Sequence, residues 1–149
     1  MRNFFICTLA ALGVIGASPA LATTASGSQN PDLTVTVSLG SRGATGPESA
    51  SVGDTVDALL AVRNNKSWSF DSPLEKVRLD LTLGVPFERS FSASVTIYLF
   101  PQQTLRLPFH FTVSELFPAG PYSLTLEAVE VDDATLPPPS SATATLTIF

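Results

Sequence analysis

From residue 32 onward, apolar and polar residues alternate with a period of two, and helical spacing is nearly absent. In residues 32–39, Leu33, Val35, Val37 and Leu39 fall on one face and Thr34, Thr36 and Ser38 on the other. The alternation recurs at 55–63 (Val56, Ala58, Leu60, Val62) and at 76–83 (Val77, Leu79, Leu81, Leu83). It continues at 90–100 (Phe91, Ala93, Val95, Ile97, Leu99) and 104–113 (Leu105, Leu107, Phe109, Phe111, Val113). Two last segments follow, 122–128 (Tyr122, Leu124, Leu126, Ala128) and 141–149 (Ala142, Ala144, Leu146, Ile148). One apolar and one polar face is the signature of an antiparallel sheet with one wet side. Seven such strands need a second sheet to cover their dry faces.

The separators are turn-forming: Asn64-Asn65, Gly84-Val85-Pro86, Pro101-Gln102-Gln103, Pro118-Ala119-Gly120-Pro121 and Pro137-Pro138-Pro139. The pattern predicts an all-β fold, a seven-stranded antiparallel immunoglobulin-like β-sandwich. A closed barrel is the alternative. Pro108 falls mid-strand and cannot donate to a ladder, so its strand is expected at an edge or with a bulge.

The first 22 residues read differently. Arg2 precedes an apolar run from Phe4 to Ala17, and Ala20-Leu21-Ala22 supplies small residues for cleavage. These are the features of a secretory signal peptide, expected to be removed after Ala22. The run is short for a membrane span, and no second apolar run follows. Residues 23–31, small and polar, are expected as a flexible lead-in to a domain at 32–149. The mature chain is therefore expected in the periplasm, at the cell surface or outside the cell, without a membrane span.

Composition narrows the chemistry. Among 149 residues there are one Cys, one His, one Met and one Trp. Cys7 and Met1 leave with the expected signal, so no disulfide or Cys-rich metal site remains. A net charge of −5 argues against nucleic acid as a partner. His110 sits on a polar strand face with no nucleophile motif in the chain, so no catalytic triad is expected. Asp132-Asp133 with Glu130 lacks the spacing of a calcium loop, and nothing pairs Glu88, Glu115 or Glu127 as a glycosidase would. The expectation is a non-enzyme with no cofactor and no metal.

The order of turns and strands resembles bacterial Ig-like modules of the CARDB (cell-adhesion-related) kind. The residues that carry the resemblance are Pro31-Asp32-Leu33 and Ser51-Val52-Gly53-Asp54-Thr55. To these add Val62-Arg63-Asn64-Asn65, Phe109-His110-Phe111-Thr112-Val113 and Pro118-Ala119-Gly120-Pro121-Tyr122. At the end the chain departs from that family, with Val131 to Leu136 and three prolines in place of an acidic, Asn-rich hairpin. The resemblance implies binding, spacing or assembly outside the cytoplasm rather than catalysis.

One loop stands apart. Residues 64–73 hold Trp68 and Phe70. Trp68 or Phe70 is expected to fold back and plug the end of the sandwich; the alternative is a tip that stacks on a surface glycan or anchors a partner protein. Tyr98 and Phe100, on the polar parity of their strand, would join Trp68 and Phe70 in a binding patch. Asn65-Lys66-Ser67 matches a glycosylation sequon. The last strand ends at Phe149, and a terminal strand can also be donated to a neighbouring subunit in an extracellular assembly.

Overall fold

The computed structural model describes residues 23–43, 48–70, 74–87, 89–131 and 137–149. The expected signal peptide, 1–22, lies outside the described residues. Nine strands and no helix occur among the described residues: β1 (Thr23–Gly27), β2 (Leu33–Ser41), β3 (Ser49–Ala50), β4 (Thr55–Asn64), β5 (Glu75–Val85), β6 (Arg89–Leu99), β7 (Thr104–Thr112), β8 (Gly120–Glu130) and β9 (Ser140–Ile148). They form a four-stranded sheet, β1-β2-β4-β7, and a five-stranded sheet, β3-β9-β8-β5-β6. Every pairing is antiparallel except β3 with β9. The two sheets pack face to face as a β-sandwich.

All seven alternating segments are strands, but the count of seven is corrected to nine among the described residues. β1 lies in the stretch expected as a flexible lead-in, and pairs with β2 from Thr23↔Leu39 to Gly27↔Val35. Its sequence, TTASG, carries no large apolar residue, so alternation cannot mark it. β3 has two residues, too short for any period.

The inward faces of β2, β4, β8 and β9 make the core: Val35 and Val37 meet Leu124, Leu126, Ala142 and Ala144, all buried. Tyr122 donates its hydroxyl hydrogen to the carbonyl of Pro118 at 2.9 Å, which pins the entry to β8.

The sandwich is a wedge. On the β1/β9 side Ala25 and Gly27 on β1 and Ala142 and Ala144 on β9 are small, and a Cβ on Gly27 would overlap the carbonyl of Ser141. Hydrogen bonds cross between the sheets there. The Asn30 N–H donates to Ser140 Oγ at 3.0 Å, Ser140 Oγ donates to the Leu33 carbonyl at 2.8 Å, and the Ser141 N–H donates to Gln29 Oε1 at 2.9 Å. On the opposite side, β6 and β7 carry bulkier apolar residues and the sheets splay. Phe91 and Val95 on β6 and Leu107 on β7 are exposed although they share the inward parity. β7 is an edge strand, as Pro108 requires.

Candidate functional site

The loop between β4 and β5 leaves the sandwich at Asn64, which is fully buried. Asn64 Nδ2 donates to the Leu99 carbonyl at 3.3 Å, and its Oδ1 accepts from the Lys66 N–H at 3.0 Å. Asn65 is tied to the chain before β2: its N–H donates to the Asp32 carbonyl, and its Nδ2 donates to the Pro31 carbonyl and Thr34 Oγ1. Gln102 reaches over from the β6–β7 turn and donates through Nε2 to the carbonyls of Asn65 (2.7 Å) and Lys66 (2.9 Å). Arg63 in turn donates to Gln102 Oε1 at 2.9 Å. Gln102 holds φ at 61°, a left-handed conformation its side-chain bonds help to maintain.

Below the loop lies a buried charge. Glu130 is 1% exposed, and the Lys66 ammonium sits 3.0 Å from its Oε1, 2.9 Å from Glu75 and 3.8 Å from Asp32. Asn30 Nδ2 donates to the other Glu130 oxygen at 3.2 Å. Partial burial works against the Lys66 charge, but hydrogen bonds to Glu75 and Glu130 and the attraction of both carboxylates outweigh it. The Lys66 pKa is therefore raised above its ordinary 10.5.

On this base stand the aromatics. The rings of Trp68 and Phe100 are stacked, with centroids 6.1 Å apart and planes 15° from parallel. Trp68 is 66% exposed and Phe100 about half exposed, so the pair forms a platform facing solvent rather than a plug. Phe70 is fully exposed beyond it. Tyr98, also exposed, lies on β6 two residues before Phe100 and opposite Lys76 on β5. All four candidate residues are thus at the surface, and a ring contact joins two of them.

The other candidates go elsewhere. His110 is exposed on β7, with Asp57 as its cross-strand neighbour. Asp57 is engaged by Arg42 through Nε (2.5 Å) and Nη2 (2.9 Å). Asp80 and Glu127 face each other across β5 and β8 on the outer surface. Asp80 is held below its ordinary value of 3.8, first by a hydrogen bond from Ser94, against partial desolvation, with Arg78 adding a second bond and its charge. No group of three or more metal-binding side chains occurs among the described residues; Glu88 and Asp132-Asp133 lie outside them. The side-chain amide of Asn65, the sequon residue, is engaged in two hydrogen bonds. β9 is paired with β8 along its length and with β3 at its end, and the Phe149 N–H donates to the Ala50 carbonyl.

Two clefts open on the β6/β7 side, the larger between the β5–β6 turn and the segment linking β7 to β8, the smaller between the two sheets. One of about 520 Å³ is lined by Leu83, Phe87, Arg89, Phe91, Leu116 and Tyr122, among others. The second, about 130 Å³, lies further along the β5–β6 hairpin against Leu81, Ala93, Val95 and Leu107. Among the described residues, neither is lined by Asp, Glu, His or Cys. Alternation does not foretell these clefts, because it reports which face is apolar and not whether that face is covered. The Lys66–Glu130 pair left one trace: Glu130 continues the inward parity of Tyr122, Leu124, Leu126 and Ala128, where a carboxylate demands a partner.

No family model and no curated protein matches the chain. Among solved structures, the chain is similar to the C-terminal domain of Wzt, at 12% identity and a TM-score of 0.46. The match covers 74% of this chain and 70% of that one.

Proposed function

We propose that this chain is a non-catalytic interaction module of the immunoglobulin-like class, acting outside the cytoplasm and engaging a protein or glycan surface through Trp68. The observation that carries the reading is the exposed Trp68–Phe100 stack on a loop fastened to the buried Lys66–Glu130 pair. An anchored loop has lost its freedom before binding, so little ordering entropy opposes capture of a ligand. A flat aromatic pair fits the apolar face of a sugar ring or an apolar side chain of a protein. Phe70 and Tyr98 extend the contact area.

The immunoglobulin-like assignment is supported by three features: a short strand pairing parallel with the last strand, β8 in the middle of the five-stranded sheet, and the Tyr122 hydroxyl bonding back to Pro118. Export is supported by the pattern of residues 1–22, and an adhesive role by the resemblance to CARDB-like modules.

The test is capture of partner proteins and a glycan array, comparing the parent with Trp68→Ala. Loss of at least tenfold in retained ligand, with an unchanged melting curve, is expected, about the effect of removing one aromatic hot spot. Equal capture by both proteins would remove Trp68 from the site.

A further inference from the structure

The four margins of the two sheets are not alike. β1 is five residues long and β3 two. β7 carries Pro108 at mid-strand, with Arg106 and His110 on either side. Short length, proline and charge are the usual devices that keep a sheet edge from pairing with another chain. β6 is long and, past its first residue Arg89, carries neither proline nor charge. It runs eleven residues, Arg89–Leu99, and pairs only with β5 among the described residues. No charged residue and no proline falls between Arg89 and Pro101. Such an edge, left open, is a template for another strand.

Its inward face is open as well. Phe91 is 64% exposed in the larger cleft with Phe87 and Leu116, and Val95 is 53% exposed in the smaller one with Leu107. With about 200 Å² for a fully exposed aromatic ring and less for an aliphatic side chain, these five present roughly 500 Å² of apolar surface. Covered on both copies, that is roughly 1,000 Å² in total, beside the newly paired β6 backbone, at the lower end of specific interfaces.

We propose that β6 pairs antiparallel with β6 of a second copy of this chain, joining the two five-stranded sheets and closing both clefts against each other. Each chain is net negative, but β6 carries no charge between Arg89 and Pro101, so a second copy meets no like charge along that edge. The pattern of β6 is self-complementary under a two-fold axis through Ser94. That register overlaps the whole strand, sets Phe91 opposite the partner's Ile97 and Ala93 opposite the partner's Val95, and keeps Phe91, Ala93, Val95, Ile97 and Leu99 on the cleft side, with Tyr98 on the outer face. β7 need not pair, which suits its Pro108. The interface leaves the Trp68–Phe100 platform, beyond the end of β6, outside it.

Sedimentation of protein purified from expression of the full chain, at micromolar concentration, is expected to give twice the mass of one chain. Val95→Lys places two like charges in the uncharged interface and is expected to give a monomer with an unchanged far-UV spectrum. Independently of any loss of folding, Ser94→Cys in a Cys7→Ser background is expected to cross-link on mild oxidation. Directly opposed residues lie about 4.5–5.5 Å apart between Cα atoms, within reach of a disulfide. Ser92→Cys, opposite the partner's Thr96, is expected to stay uncross-linked. A monomeric parent overturns the proposal, and so does a dimer in which Ser94→Cys fails to cross-link. A monomer that co-purifies with a foreign peptide, or that retains residues 1–22 by intact mass, also overturns it.

Discussion

At the scale of single residues, the most consequential group is a carboxylate that has left water. Glu130 is stabilised by Lys66 and Asn30, and Lys66, itself partly exposed, shares its charge with Glu75. Removing the two partners therefore has unequal consequences. Lys66→Met strands the buried charge and is expected to cost roughly 2–3 kcal/mol. Glu130→Gln removes the charge that needed a partner and is expected to cost about 1 kcal/mol. Urea unfolding of both variants checks the order. The raised pKa of Lys66 gives the pH dependence its sign. Its contribution is fully present below 10.5, the ordinary value, and is lost as pH rises through the higher folded value. The stability gap between parent and Lys66→Met is expected to narrow above pH 10.5. Glu130 was legible as a charge at inward parity, but its partner was not. Lys66 lies 64 residues earlier, and only the fold brings their ends together.

At the scale of elements, seven strands could be read because each alternates over seven or more residues. β1 could not, since Thr, Ala, Ser and Gly carry too little contrast between faces. Yet β1 closes one margin of the sandwich, and its closeness to β9 depends on the absence of a side chain at Gly27. Gly27→Val is expected to cost about 2 kcal/mol through overpacking against a rigid backbone. Hydrogen exchange of the β1 amides is expected to accelerate in that variant while β4 and β8 stay protected. Uniform acceleration would show that β1 is not a separable margin. Trp68 is the converse case. The sequence marked the residue but favoured the plug over the tip, and a ring in a loop can turn inward or outward. Gln102, bonded to the loop from a different turn, holds the loop that presents it.

At the scale of the whole molecule, the wedge shape governs how the protein meets its surroundings. Small residues and cross-sheet hydrogen bonds draw the sheets together at β1 and β9, while on the β6 and β7 side Phe91, Val95 and Leu107 stay exposed and clefts open beside them. The open side concentrates apolar surface in one band. If the proposed β6 pairing closes the parent's clefts, a dye that fluoresces in apolar clefts is expected to bind the Val95→Lys monomer several-fold more strongly than the parent. Equal fluorescence would mean that the band is not covered in the parent. By itself the sequence determined the all-β class of the fold and the parity of the seven alternating strands, and limited the Pro108 strand to an edge or a bulge, because period, turn chemistry and proline act locally. It also bounded the chemistry, through single Cys and His residues and an uncharged stretch from 90 to 105. The tertiary structure alone decided which apolar faces are covered, that Trp68 looks outward, and that Lys66 meets Glu130. Those outcomes depend on how far apart two sheets sit and on which distant loops share an end of the sandwich, and alternation along one strand contains neither distance.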